Sequence, residues 1–220
     1  MKQKWNKTRQ RARHTGLALL LSWNSAVAQQ AISFTPEEMA RWEEQTFRGA
    51  TRYTPLLHQG RAALRAEAHG SASGRILRQR IDLRQTPFLH WSWFLPASPL
   101  DSNPREKQGD DFALRVYVLF SGGWAFWQSR AINYVWSARE AAGSNWPNPF
   151  TDRARMVSVR QGPEAVGRWV EEARDIRQDH RNLFGYDVDY VDALAIMSDT
   201  DNTGSSATGY YGEIVFSTQR

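Results

Sequence analysis

The 220-residue chain contains no cysteine. Disulfides, thiol nucleophiles, thiolate zinc sites and covalent haem attachment are therefore excluded together, and stability must come from packing. Histidine is also scarce. His58, His69, His90 and His180 stand far apart, without the short spacing of a metal site. No G-x-x-x-x-G-K-[ST] phosphate loop occurs, and no G-x-G-x-x-G follows a strand. The glycine-bounded turn at residues 70–74 centres on Ala72, so it is no nucleophile elbow. No repeat of fixed period and no long low-complexity linker interrupts the chain.

Long apolar runs are missing too, and this decides how the N-terminus is read. Six basic residues (Lys2, Lys4, Lys7, Arg9, Arg11, Arg13) precede a short apolar run at 17–21, and Ala26-Val27-Ala28 follows. A membrane span needs about 20 apolar residues, and Ser22, Asn24 and Ser25 arrive first. The order of basic, apolar and A-x-A segments predicts a secretory signal peptide over 1–28, cut after Ala28. With no Arg-Arg pair, general secretion is expected rather than twin-arginine export. Removal of this segment leaves 22 basic against 23 acidic residues. The precursor's basic balance thus belongs to its leader and gives no argument for nucleic-acid binding. Residues 29–220 are expected to form one domain outside the cytoplasm, periplasmic or secreted, with no transmembrane segment.

What is abundant is aromatic: ten Trp, ten Phe and seven Tyr. Thr35, Pro36 and Glu38 form a helix start, with a Thr cap, proline at the first helical position and a capping box, predicting a helix to about Gln45. Thereafter the period moves towards two. Leu64, Ala66 and Ala68 alternate with Arg65 and Glu67. Over 111–120, Phe112, Leu114, Val116, Val118 and Phe120 line one face, and Asp111, Ala113, Arg115 and Tyr117 the other. Gly122-Gly123 suits a hairpin turn, with a return strand over 124–127. Further strands are expected over 88–95, 131–137, 155–160, 192–198 and 210–217. Asp175 can cap a helix that shares Ile176, His180 and Leu183 or Phe184 on one face and stops at Gly185. Short strands separated by turns predict a mostly β, antiparallel sandwich with one or two short helices.

Candidate chemistry is sparse. Asp110 and Asp111 are adjacent, so on a strand they point to opposite faces and cannot by themselves form a glycosidase pair. Asp111 facing Arg115 reads either as a structural ion pair or as a polar ligand contact. In the loop 198–206, Asp199, Asp201 and Thr203 supply oxygen atoms at spacings that partly match a calcium loop. The twelfth position, however, is Tyr210 and the bidentate Glu is missing, so a hydrogen-bonded turn or direct ligand loop is the other reading. Trp91 and Trp93 share a strand face, as do Tyr134 and Trp136. On an exposed sheet they would stack on sugar rings, and on a buried one they are core.

The runs Gly109-Asp110-Asp111-Phe112-Ala113, Arg115-Val116-Tyr117-Val118, Asn133-Tyr134-Val135-Trp136 and Asn148-Pro149, the segment 169–185, Ile196-Met197-Ser198-Asp199-Thr200-Asp201-Asn202-Thr203-Gly204 and Tyr210-Tyr211-Gly212-Glu213-Ile214 resemble the domain of unknown function 3047 family. The resemblance runs from about Trp91 to Phe216 and implies an exported bacterial protein without an established activity. The ending of the chain is more loosely similar to jelly-roll carbohydrate-binding modules, implying a galactose-binding-like, jelly-roll sandwich. The expected function is a non-catalytic binding domain for a glycan or another cell-envelope ligand. Its contacts would be Asp111, Arg115, Tyr117, Asp199, Asp201 and Asn202, with Trp91, Trp93 and Trp136 as stacking platform. The alternatives are an envelope polysaccharide hydrolase pairing Asp111 with Asp199, Asp201 or Glu213, and a protein-interaction module of the envelope. N-terminal sequencing of the chain recovered from a periplasmic extract should return Gln29 as its first residue. A chain beginning at Met1 in that fraction would contradict the leader.

Overall fold

A computed structural model of the chain describes residues 31–121 and 129–220. The expected leader at 1–28, the expected Gly122-Gly123 turn and the expected return strand at 124–127 lie outside the described residues.

Among the described residues, two large sheets form the body of the fold. The first holds β1 (Ala31–Phe34), β3 (Arg52–His58), β4 (Arg61–His69), β7 (Phe88–Phe94), β12 (Trp169–Asp175) and β15 (Ser206–Ser217). Their order is β12-β7-β15-β4-β3, with β1 also on β15, and every pair is antiparallel. The second holds β2 (Glu43–Arg48), β5 (Ala72–Leu77), β8 (Arg115–Phe120), β9 (Arg130–Ser137), β10 (Asn145–Asn148), β11 (Thr151–Gln161) and β14 (Ala193–Asp199). Their order is β10-β11-β9-β8-β14-β5-β2. One pair, β11 with β9, is parallel, a departure from the wholly antiparallel expectation. The short strands β6 (Ile81–Asp82) and β13 (Tyr190–Val191) pair separately. The protein is a mostly β, two-layered sandwich.

Strand alternation places one face of each sheet in the core. From the seven-stranded sheet come Val116, Val118, Ile132, Tyr134, Trp136, Leu194 and Ile196. From the six-stranded sheet come Leu64, Leu89, Trp91, Trp93, Ile214 and Phe216. The aromatic rings meet across the gap, Trp91 to Tyr134 at 5.3 Å and Trp93 to Trp136 at 6.1 Å. The three tryptophans offered as a stacking platform are therefore core. Their two-residue spacing gave a common face, and that face is the inner one. Trp136 also donates from Nε1 to the Gly162 carbonyl at 2.9 Å.

The two helices differ in how far their signals carry. The capping box at Thr35 is present, with both bonds made between Thr35 and Glu38. Yet α1 (Pro36–Met39) ends six residues before Gln45, because residues 43–48 pair with β5 as the sheet's edge strand. By contrast, α2 (Ile176–Phe184) matches its expected span. The Asp175 side chain accepts from Gln178 N–H at 3.0 Å, and Gly185 closes the helix in the left-handed conformation at φ 84°. Residues 111–114 are likewise not strand, since β8 begins at Arg115.

A second apolar cluster, Phe112, Val135, Trp146 and Met156, lies on the outer side of the seven-stranded sheet. The connection between β7 and β8 covers it, and Trp146 Nε1 donates to the Pro104 carbonyl at 3.1 Å. That connection turns so tightly at Gly109 that a Cβ there would stand 2.2 Å from the Asn103 carbonyl oxygen. Glycine is thus required where the chain must deliver Asp110 and Asp111 to the sheet. Among the described residues no helix is long and apolar enough to cross a membrane.

Candidate binding groove

On β8 the residues Val116 and Val118 point inward, so Arg115, Tyr117 and Leu119 belong to the outer face. Arg115 is nevertheless only 2% exposed. Its Nε donates to Asp199 Oδ1 at 2.8 Å, and its Nη2 donates to both Asp199 Oδ2 and the Asp110 carbonyl. Nη1 reaches Tyr117 Oη at 3.2 Å and Asp110 Oδ2 at 3.4 Å. Even the Arg115 backbone N–H is engaged, donating to Tyr211 Oη at 3.0 Å, while Tyr211 donates to the Met197 carbonyl at 2.6 Å. Since Tyr211 comes from β15, this knot ties the two sheets together.

The aspartates around Arg115 divide the work. Asp199 Oδ1 also accepts the Phe112 N–H at 3.1 Å, and the Asp199 N–H donates back to the Phe112 carbonyl. Asp111 bonds, instead of Arg115, the loop that follows Asp199. Its Oδ1 accepts the backbone N–H and side-chain amide of Asn202, at 3.1 and 3.0 Å, and its Oδ2 accepts Thr203 N–H at 2.7 Å. It holds the 200–204 loop in place. Asp110 takes the position beside Arg115 that the strand reading gave to Asp111, because these residues precede the strand and do not alternate. Asn148 donates to Asp110 Oδ2 at 3.0 Å.

Calcium fits this cluster poorly. Oxygens of Asp111, Asp199 and Asp201 do lie within 4.8 Å of one another. Every oxygen of Asp111 and Asp199, however, already accepts an N–H, and the Arg115 guanidinium occupies the cationic position. Thr203 contributes its backbone N–H to Asp111, and its hydroxyl turns to Ser205 at 2.7 Å.

Above this knot the outer face opens into a groove. One part, of about 440 Å3, is lined by Asp110, Asn148, Asp199, Asp201 and Asn202 with Tyr117, Phe47 and Phe150. The adjoining part, of about 420 Å3, is lined by Ile76, Leu119, Ala131 and Ala195 and shares Phe47, Tyr117 and Met197 with the first. Phe47 and Phe150 are 68% and 55% exposed. Neither was singled out by sequence, since each lies in a segment without a two-residue pattern. Of the expected contacts, Arg115, Tyr117, Asp199, Asp201 and Asn202 line the groove, and Tyr117, Asp201 and Asn202 are the partly exposed ones. Arg115 and Asp199 form its buried support, and Asp111 sits behind the loop. Glu213 is not part of this face. It lines a cleft with His90, Ser92 and Glu171 on the outer face of the six-stranded sheet, so it cannot pair with Asp111 across one site.

Burial pushes the Asp199 carboxyl up to about 8, with Arg115 pulling it down and Asp110 adding to the rise. Asp110 is raised by the same burial against the same pull, and Glu172, on β12, is raised by burial as well. An unfolded aspartate releases its proton near pH 4, so the folded chain binds more protons between about pH 4 and 8. Stability should therefore fall as pH rises through that window.

The model of a family described as protein of unknown function (DUF3047) matches residues 40–215. No curated protein matches the chain. Among solved structures, a meso-active thermo-stable cellulase derived from Cel12A of Rhodothermus marinus is similar. It is 9% identical and has a TM-score of 0.44, covering 86% of this chain and 100% of that one. A low-affinity xylan-binding module, CBM86, from Roseburia intestinalis is 12% identical with a TM-score of 0.31, covering 85% and 94%. At these scores neither carries an argument about the groove.

Two outcomes are expected. Arg115→Ala should cost about 3–5 kcal/mol of unfolding free energy, because it leaves buried carboxylates without their cation; a loss below about 1 kcal/mol in denaturant unfolding would contradict the knot. The thermal midpoint should fall from mildly acidic to mildly alkaline buffer, and Asp110→Asn should flatten that fall. A midpoint that stays level over this range would mean that every carboxyl in the cluster is ionised and would contradict the raised values.

Proposed function

The chain belongs to the DUF3047 family of proteins of unknown function, and we propose that it is an exported, non-catalytic domain that binds a glycan of the cell envelope on the outer face of its seven-stranded sheet. The observation that carries this reading is the groove itself. Two largely exposed phenylalanines, Phe47 and Phe150, stand in its lining beside Asn148, Asp201 and Asn202. A sugar ring offers an apolar face of C–H groups and an edge of hydroxyls. Aromatic walls take the first, and amide and carboxylate groups take the second.

The carboxylates argue for binding over hydrolysis. Glycoside hydrolysis needs two carboxyl groups facing one cleft, about 5–9.5 Å apart. Asp111 and Asp199 are both buried, and their oxygens are spent on the loop and on Arg115. Export rests on the leader at 1–28, whose order of basic, apolar and small residues carries it.

Binding is tested by calorimetric titration of residues 29–220 with envelope and plant oligosaccharides. Phe150→Ala should weaken the best ligand about tenfold, equivalent to roughly 1.4 kcal/mol, with the melting midpoint nearly unchanged. Asn148→Ala should weaken it as much while also lowering the midpoint, because Asp110 loses a donor. Asp201→Ala should behave like Phe150→Ala. Unaltered affinity in all three variants would move the ligand off this face, and release of reducing sugar would replace the binding reading with the hydrolase.

A further inference from the structure

The two parts of the groove are chemically unlike. Where Asp110, Asn148 and Asn202 line it, hydroxyls find hydrogen-bond partners. Beyond Tyr117 and Met197 the floor is Ile76, Leu119, Ala131 and Ala195, which offer no side-chain donor or acceptor. At its rim stand Gln45 and Arg78, the latter paired with Glu43 at 3.3 Å, whereas the Arg75 side chain lies over the Tyr53 ring of the other sheet.

A glycan extended along the whole groove would press most of its hydroxyls against aliphatic side chains, with only Gln45 and Arg78 at the rim to bond them. Burying hydroxyls unpaired is unfavourable. An alkyl chain in the same place would remove apolar surface from water on both partners. The trough is continuous with the polar part through Phe47, Tyr117 and Met197, so one molecule can occupy both. Its volume, about 420 Å3, is within the range that holds a small-molecule ligand.

We infer that the ligand is an amphipathic glycan, with its sugar head in the polar part of the groove and an acyl or alkyl chain lying over Ile76, Leu119, Ala131 and Ala195. This rests on the reading of the groove as a glycan site and names the class of glycan. An acylated or lipid-linked saccharide has this chemistry; an unsubstituted polysaccharide lacks it. Ala195, on β14 and partly exposed, marks the trough without contributing to the Arg115 knot.

The test titrates the mature chain with alkyl glucosides and alkyl N-acetylglucosaminides from ethyl to octyl, each below its micelle concentration. Affinity should rise with chain length, approaching about fourfold per methylene where the chain is fully buried. Ala195→Glu should abolish that rise while leaving ethyl glycoside binding as in the wild type, and Glu171→Ala, on the other sheet, should change nothing. If affinity is independent of chain length while oligosaccharides still bind through Phe150 and Asn148, the amphipathic ligand is wrong and the glycan groove stands. If neither glycosides nor oligosaccharides bind, both readings fail. If the chain is instead a dimer that Ala195→Glu dissociates, the trough belongs to a second copy, and the inference is overturned.

Discussion

Arg115 carries its charge into the interior, where Asp199 grips the guanidinium along one edge and Asp110 accepts from it with both carbonyl and carboxylate oxygens. A buried charge of this kind is tolerated only when its partners and its remaining N–H groups are all supplied. The demand explains much of the surrounding architecture. Gly109 lets the connection turn closely enough to deliver Asp110. Phe112 exchanges hydrogen bonds with Asp199 at the end of β14, and Tyr211 crosses from the other sheet to accept the Arg115 backbone N–H. Asp111, adjacent in sequence, then ties down the loop that forms one wall of the groove.

This arrangement separates the groups that build the groove from those available to a ligand. Arg115, Asp199 and Asp111 are committed to internal bonds, whereas Phe47, Phe150, Asn148, Asp201 and Asn202 keep exposed surface in the groove. A rigid polar base beneath an adaptable aromatic lining favours recognition, because the ligand need not order the sheet as it binds. The same base commits the carboxylates of Asp111 and Asp199, leaving Asp201 as the partly exposed carboxylate of the groove.

Much of the fold was legible where side-chain pattern and local chemistry agreed. The alternation through Val116 and Val118 found β8, and Asp175 with Gly185 bounded α2 because both caps are local devices. The Thr35 capping box was equally real, but its helix is cut short by pairing of residues 43–48 with β5, a long-range contact that no local signal reports. The tryptophans illustrate a different limit. Alternation assigns Trp91 and Trp93 to a common face without saying whether that face meets water or Tyr134 and Trp136. The candidate site was half legible: the segments around Arg115 and Asp199 do converge, but the roles within them were exchanged. Arg115 supports the groove from beneath, Asp110 replaces Asp111 as its partner, and the exposed phenylalanines lie in segments whose sequence gives no reason to choose them.

Whether ligands meet the outer face of the seven-stranded sheet is decided by amide chemical-shift mapping of isotope-labelled residues 29–220 with a bound saccharide. Perturbations should group at residues 117–119, 148–151 and 195–202, with the six-stranded sheet unmoved. Perturbations confined to residues 90–92, 171–173 and 213–215 would place the ligand in the cleft beside Glu171 and Glu213 and contradict a site on the seven-stranded sheet.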